Sequence, residues 1–191
     1  MERALHEEKQ FEKISFFEAI YPASEHEECV FDQCDFSKCN LSGSSFAESL
    51  FIGCQFSMTS LSNTTFRNVR FKDCKLLGLH FEDCSNFLFT VSFENCSVKL
   101  CSFTKMNLQN TRFVNSTLHE IDFTETNLSG AVFDHCDLAG SIFDGTKLEK
   151  ANFRTAFNYS IDPEQNRLKK AKFSLPGVIG LLDKHDIQID L

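Results

Sequence analysis

The sequence predicts an all-β solenoid, a coil with flat sides in which successive turns stack on one another. The main observation is a register of five, in which every fifth residue is Phe, Leu or Val over two long stretches. A period of five fits neither the 3.6 residues of an α-helix turn nor the two-residue alternation of a simple strand, so the chain must turn a corner once per repeat. The register comprises Phe31, Phe36, Leu41, Phe46, Phe51, Phe56, Leu61, Phe66, Phe71, Leu76 and Phe81, and then Phe93, Val98, Phe103, Leu108, Phe113, Leu118, Phe123, Leu128, Phe133, Leu138, Phe143, Leu148 and Phe153.

A second periodic set lies two residues before each large apolar residue. Its members are small or aliphatic and uncharged, as in Cys29, Cys34, Thr64 and Ala131. Residues two apart on an extended segment point to the same side. Each flat side of the coil is therefore expected to direct one large and one small group inward, so that stacked coils bury a continuous core.

Several blocks share a motif of the form A-(D/N)-L-x-x, among them CDFSK (34 to 38), CNLSG (39 to 43), TNLSG (126 to 130), CDLAG (136 to 140) and ANFRT (151 to 155). With this motif the chain resembles the pentapeptide-repeat family, in a Phe- and Cys-rich variant, over roughly residues 14 to 173. The resemblance implies a right-handed quadrilateral β-helix with four pentapeptides per coil. Residues 16–173 are assigned to this β-helix, and residues 1–15 to an N-terminal cap segment.

The register is interrupted once. Phe93 follows Phe81 by twelve residues instead of ten, which predicts a two-residue slip within 82–92, formed as a bulge or short loop. Phe87 and Phe89 fall out of phase there and are expected to cover the corner of the distorted coil.

Residues 174–191 are predicted to form a short C-terminal helix and dimerisation cap. Ser174 and Pro176 are helix start signals, and Leu175, Val178, Ile179 and Leu182 follow at helical spacing. The strings NYSIDP (158 to 163) and KKAKFSLP (169 to 176) resemble the C-terminal cap of the quinolone-resistance, gyrase-interacting branch of the family. That resemblance implies a two-fold homodimer in which these four apolar residues form the interface.

Composition and motifs argue against most other functions. Eight of the nine cysteines precede a register residue by two positions, and Cys84 continues the same phase into the slip. They lack zinc-site spacing, so they are interpreted as packed core residues, with no metal and no cofactor. No phosphate loop or nucleophile motif is present, and a filled rod offers no cleft, so an enzyme is not expected. A net charge of −8 disfavours nucleic-acid binding. A charged N-terminus and the lack of a long apolar run predict a cytoplasmic protein without membrane contact.

The charges give the candidate binding residues. If the slip lies in the fourth side of its coil, the third side carries Glu82, Asp83, Asp122, Glu125 and Asp144 against a single Lys105. The family resemblance implies a DNA mimic that binds DNA gyrase or topoisomerase IV and modulates it or protects it from quinolones or gyrase-targeting toxins. The alternative is a general protein-interaction or scaffold rod whose acidic side serves only solubility. The low coil charge, and the lack of the long loops that many quinolone-resistance members carry, favour this alternative.

Overall fold

The computed structural model describes residues 4–185 and 187–188, and it is a right-handed quadrilateral β-helix built from short parallel strands. The strands are β1 (Ala4–Glu7), β2 (Gln10–Glu12), β3 (Ser24–Glu27), β4 (Val30–Asp32), β5 (Ser45–Ala47), β6 (Leu50–Ile52), β7 (Gln55–Ser57), β8 (Thr65–Arg67), β9 (Val69–Lys72), β10 (Lys75–Leu77), β11 (Val91–Glu94), β12 (Ser97–Lys99), β13 (Arg112–Val114), β14 (Thr117–His119) and β15 (Val132–Asp134). No helix in this part of the chain is long and apolar enough to cross a membrane.

Each coil has four sides, which we name by their most distinctive feature. The slip side contains β1, β3, β5 and β8, and the phenylalanine side contains β2, β4, β6, β9, β11, β13 and β15. The cysteine side contains β7, β10, β12 and β14. The acidic side is held by isolated parallel bridges, such as His80 to Ser102, Ser102 to Asp122 and Asp122 to Ile142. It corresponds to the third side of the sequence analysis.

The strand pairing confirms both the repeat and the slip. Phe31 pairs with Phe51 twenty residues later, as four pentapeptides per coil require. Across the slip the offset becomes twenty-two, because Phe71 pairs with Phe93. Counted from the slip side, the coils begin at residues 4, 24, 44, 64, 84, 106, 126, 146 and 166. The extra residues of the fifth coil project from the slip side.

The bulge separates the two out-of-phase phenylalanines. Phe89 turns inward and packs edge-on against Phe66 and Phe81. Phe87 is 74% exposed, so the expectation that it covers the corner is wrong. The register has no large apolar residue between Phe81 and Phe93. One of the two rings, that of Phe89, fills the space left there, and the ring of Phe87 lies on the surface.

The core is a set of ring columns and small-residue columns. Along the phenylalanine side, Phe93, Phe113 and Phe133 stack with nearly parallel rings. The small residues add hydrogen bonds, since hydroxyls such as Thr59 Oγ1 donate to the backbone of the preceding coil, here to Phe36 O at 2.7 Å. Buried carbonyls are thereby satisfied, which explains why polar Ser and Thr are tolerated inside.

The corners explain where the charges lie. The last residue of most repeats has a positive φ, as in Lys38 (54°) and Glu125 (55°). Its N–H donates to the next coil, as from Lys38 N to Ser57 O at 2.7 Å. This hydrogen bond offsets the cost of the left-handed conformation, and the side chain is directed into solvent.

The two ends differ from the sequence expectation. The coil continues into the segment assigned to an N-terminal cap, because β1 and β2 pair in register with β3 and β4. At the other end the expected helix consists of 3₁₀ turns at Pro176–Leu181 and Asp183–His185. Ser174 Oγ accepts a hydrogen bond from Gly177 N at 3.2 Å, as a helix cap does.

Candidate protein-interaction surfaces

The acidic side is built on four stacked phenylalanines that fix the orientation of every residue around them. Phe81, Phe103, Phe123 and Phe143 are buried in successive coils. Because neighbouring residues on an extended segment point to opposite faces, the residues beside each ring point outward. Glu82, Asp122 and Asp144 occupy such positions, while Asp83 and Glu125 are exposed residues two places after a ring, at the corner of the coil. The structure therefore brings the five predicted residues together on one side. Lys105 is the one base in these four coils of the acidic side, whose net charge is −4 (five acids minus one base).

Asp122 and Glu125 are held differently although they belong to one repeat. Asp122 is half-buried, and its Oδ1 accepts a hydrogen bond from Thr124 N at 2.8 Å. Glu125 is an exposed corner residue whose Oε1 lies 3.9 Å from Nζ of Lys105 in the preceding coil. The first carboxylate is fixed by the backbone, whereas the second can move toward a partner.

Glu82 and Asp83 lie in a 3₁₀ turn, Phe81–Asp83, that leads into the bulge. Glu82 Oε1 is 3.0 Å from His80 Nδ1, while its Oε2 is buried without a hydrogen-bond partner within the described chain. Asp83 is exposed, and its carbonyl accepts a hydrogen bond from Asn63 N at 2.8 Å. The bulge therefore orients the start of the acidic side.

Two further acids extend this side, although the repeat pattern does not predict them. Asp162 and Glu164 flank Pro163, and both carboxylates bind Lys184 Nζ at 2.7 Å. The hydrogen bond from Lys184 lowers the pKa of Asp162. Their signal was a spacing of twenty residues from Ile142 and Asp144, hidden because proline replaces the expected Phe or Leu.

The acidic character is confined to the later coils. In the second and third coils the same outward positions hold Asn40, Ser42, Ser60 and Ser62. The side is therefore neutral near the N-terminus and negative toward the C-terminus. A partner that recognises negative charge is therefore expected to bind the part of this side that lies toward the C-terminus.

The C-terminal end presents the four residues predicted to form a dimer interface. Leu175 is 88% exposed, Val178 and Ile179 are each 39% exposed, and Leu182 is half-buried. The turn behind them is pressed onto Tyr159, because a Cβ at Gly180 would lie 2.2 Å from the Tyr159 carbonyl oxygen. Burial raises the pKa of Tyr159. The end of the rod therefore has a fixed shape and an apolar surface.

No group of three or more metal-ligating side chains occurs among residues 4–185 and 187–188. All nine cysteines are free and buried. They occupy the inward small-residue position expected from the repeat, and thiols such as Cys54 Sγ donate to the carbonyl of Phe31 at 3.3 Å.

Comparisons with known proteins agree with this architecture. A family model described as a pentapeptide repeat region matches residues 24–99 and 86–156. A structure of trypsin-treated QnrB1, described as a plasmid-mediated fluoroquinolone resistance protein, is similar with a TM-score of 0.69 at 16% identity, covering 100% of both chains. A second trypsin-treated QnrB1 variant is similar with a TM-score of 0.51 at 17% identity, covering 98% of each chain. A search of curated proteins found no match.

Proposed function

Since the chain belongs to the pentapeptide-repeat family, with most of its coils matched by the family model, we propose that it binds a type II topoisomerase, DNA gyrase or topoisomerase IV, in place of DNA. The observation that carries this proposal is the gathering of Glu82, Asp83, Asp122, Glu125 and Asp144 on one side of a regular rod. The fold shared with QnrB1, described as a plasmid-mediated fluoroquinolone resistance protein, supports a role connected with fluoroquinolone action.

The shape of the rod supports a DNA-like role. Nine stacked coils at the usual strand spacing of about 4.8 Å give a length of roughly 38 Å. Two such rods joined end to end extend over about two duplex turns of roughly 34 Å each. A two-fold rod of this length matches the symmetry of an enzyme that holds DNA across a central gate.

The C-terminal segment supplies the proposed joint between the two rods. Leu175, Val178, Ile179 and Leu182 form an apolar surface at the end of the coil, where it would otherwise meet water. The same surface on a second copy buries it by an isologous contact. In this arrangement the coils that carry the five acids, the fourth to the seventh of nine, lie nearer the centre of the dimer than the uncharged first three coils of the acidic side.

The net charge of the acidic side is modest, and its size limits the role that this side can have in binding. A duplex as long as four coils carries about eleven phosphate charges, so the net charge of −4 on the acidic side is about a third of that value. We therefore assign it a role in steering and orienting the rod on a basic DNA-binding surface, with affinity that falls as salt rises. Occupying that surface would reduce the amount of enzyme held on DNA, where quinolones act.

A supercoiling assay with purified gyrase tests the proposal. We expect the protein to inhibit supercoiling or to relieve fluoroquinolone inhibition at tens of micromolar, and to compete with DNA for the enzyme. If it does neither, and does not bind topoisomerase IV, the scaffold alternative is correct and the acidic side serves another partner or solubility alone.

A further inference from the structure

The slip side carries opposite charges at its two ends. Its first three coils expose six acids and no base: Glu7, Glu8, Glu25, Glu27, Glu28 and Glu48. Its last two coils expose five bases, Lys147, Lys150, Arg167, Lys169 and Lys170, beside one half-buried acid, Glu149. The acidic residues of the proposed topoisomerase surface lie on a different side, so this pattern is independent of that proposal.

Like charges are stacked directly on one another within each end. Glu7 pairs in register with Glu27, and Lys147 bridges to Arg167 in the next coil. Like charges placed opposite each other in a sheet destabilise it. Among the described residues, none of the five bases forms an ion pair with a carboxylate. Both ends of the slip side would thus be stabilised by contact with a surface of opposite charge.

The bulge lies at the middle of this side. It belongs to the fifth of nine coils and exposes Phe87 (74%) and Leu88 (56%). Between the bulge and the two charged ends most outward residues are uncharged, such as Ser45, Thr65 and Asn107. The exposed base in the coil before the bulge, Arg67, pairs with Glu27 of its own chain. Along the rod the side therefore reads acidic, polar, apolar, polar and basic.

We infer that the slip side binds a second copy of this chain, antiparallel and with two-fold symmetry. The two slip sides face each other, and the two-fold axis lies between them at the bulge, perpendicular to the long axes of both rods. This axis places the first coil of one copy against the ninth coil of the other, and the second coil against the eighth. This axis keeps each edge of the side facing the same edge. Glu8 then meets Lys170 of the second copy, and Glu28 meets Lys150.

Two more pairs of opposite charge form in the same arrangement, while Glu48, Arg67 and Arg167 meet uncharged residues of the second copy. Glu25 meets Lys147 of the second copy, and Glu7 meets Lys169. The one meeting of like charges is Glu27 with Glu149, and both already have partners in their own chain. Glu27 lies 3.4 Å from Arg67, and Glu149 accepts a hydrogen bond from Ser129 Oγ at 3.2 Å. A parallel arrangement would place acid on acid, so charge alone selects the antiparallel one.

The size of the surface sets the strength of the contact. Nine coils of about 4.8 Å and a side about 13 Å wide give roughly 500 Å² per copy, or about 1,000 Å² in total. This area is at the lower end of specific interfaces, where complexes are reversible. The pairing is therefore expected at micromolar concentration and low salt, and to weaken strongly at high salt.

A cysteine at the axis tests the geometry. A residue close to a two-fold axis lies next to its own copy, so Phe87→Cys should form a disulfide-linked dimer when oxidised with diamide at low salt. All nine native thiols are buried and should not compete. We expect the yield to fall at least fivefold in 0.5 M NaCl. Leu100→Cys, a matched exposed position on the cysteine side, should give little dimer under the same conditions.

Charge exchange tests the pairing itself. In the Phe87→Cys background, Glu8→Lys with Glu28→Lys should lower the yield about tenfold, as should Lys150→Glu with Lys170→Glu. Folding should tolerate these changes, because equivalent corners already hold Lys105 and Glu125 at positive φ. Mixing the two double variants should restore the cross-link between unlike chains. Leu175→Asp, which affects only the proposed C-terminal joint, should leave it unchanged.

Several outcomes would overturn the inference. These are a cross-link that does not depend on salt or charge reversal, no recovery on mixing, loss of the cross-link in Leu175→Asp, or assemblies of the Leu175→Asp variant, which lacks the C-terminal joint, that grow beyond a dimer with concentration. The last would show a head-to-tail contact in place of a two-fold one. None of these results bears on topoisomerase binding, which the supercoiling assay decides separately.

Discussion

The rings of Phe113 and Phe133 lie 5.0 Å apart between centroids and within 2° of parallel. Parallel rings at this centroid distance lie within the range that aromatic pairs prefer, and the spacing of about 4.8 Å between parallel strands sets the distance. Edge-on contacts are made across the coil instead, as between Phe113 and Phe123 at 6.2 Å and 77°. Each ring therefore supports two coils along the rod and a neighbouring side within its own coil.

Replacing one ring in such a column should be costly. Phe113 is fully buried, so we expect Phe113→Ala to lower the free energy of unfolding by about 3 to 5 kcal/mol. Phe87→Ala is the matched control, because its ring is 74% exposed and its loss should change stability by less than about 0.5 kcal/mol. Denaturant unfolding of both variants measures the difference. Equal losses of stability in the two variants would contradict a stabilising role for the packing of Phe113 between neighbouring coils.

The cysteines should be chemically inert in the folded protein. Burial raises the pKa of Cys39 and Cys101 to about 11 and that of Cys136 to about 12, so these three thiols are little ionised at neutral pH, and all nine are shielded from reagents by burial. We expect thiol titration to detect almost no reactive groups in the native protein and all nine in denaturant. Stable disulfides, or zinc bound in stoichiometric amount, would contradict the packing role.

His26 is the least regular member of the core. It takes a position where the next two coils have Phe46 and Phe66, and it is stacked on the ring of Phe46 at 4.9 Å. Its Nε2 lies 3.1 Å from Tyr21 Oη, whereas its Nδ1 is buried without a partner within the described residues. Burial, followed by the charges of His6 and Lys9, lowers the pKa of His26 to about 4 from 6.5.

This lowered pKa predicts acid sensitivity at the N-terminal end. Between pH 6.5 and 4 the unfolded chain binds a proton that the folded one excludes, so stability falls as pH falls through that window. We expect this group to contribute a loss of about 2 kcal/mol between pH 7.5 and pH 5. His26→Phe should remove that contribution, which urea unfolding at the two pH values detects. The same pH dependence in variant and wild type would rule out His26 as its source.

The repeat made most of the fold predictable, because every fifth residue from Phe31 to Phe81 lies in the same local environment. The ends and the slip were harder. Gly177 and Gly180 favour a 3₁₀ turn through close contact with Tyr159, which no local pattern reveals. Phe89 rather than Phe87 turns inward because of the space beside Phe66, again a tertiary effect.

The acidic side was predictable only after the slip was placed on one side of the coil. With that choice, Asp122 and Glu125 follow from counting in steps of five. Asp162 and Glu164 did not follow, because Pro163 breaks the register that identifies outward positions. The hydrogen bond of Asp122 to Thr124 N was also not foreseen, so charge reversal there removes more than a charge.

The C-terminal joint should depend on its most exposed side chain. We expect Leu175→Asp to convert a dimer at micromolar concentration into a monomer in light scattering at high salt, where contacts along the slip side are screened. Leu100→Asp is the control, since Leu100 is also exposed (56%) but lies on the cysteine side. Melting temperature should change little in the Leu100 variant. A dimer that survives Leu175→Asp would place the joint elsewhere.

A binding titration of gyrase with wild type and two charge-reversed variants at several salt concentrations tests whether the acidic side binds a topoisomerase. Asp122→Lys with Glu125→Lys should weaken binding at least tenfold and flatten its salt dependence. The control, Asp35→Lys with Glu94→Lys, removes matching local contacts on other sides. Asp35 Oδ1 accepts from Ser37 N at 2.9 Å, and Glu94 lies 4.0 Å from Lys72. We expect near wild-type binding for this control. Equal binding by all three proteins, or binding by none of them, would contradict recognition of gyrase through the acidic side.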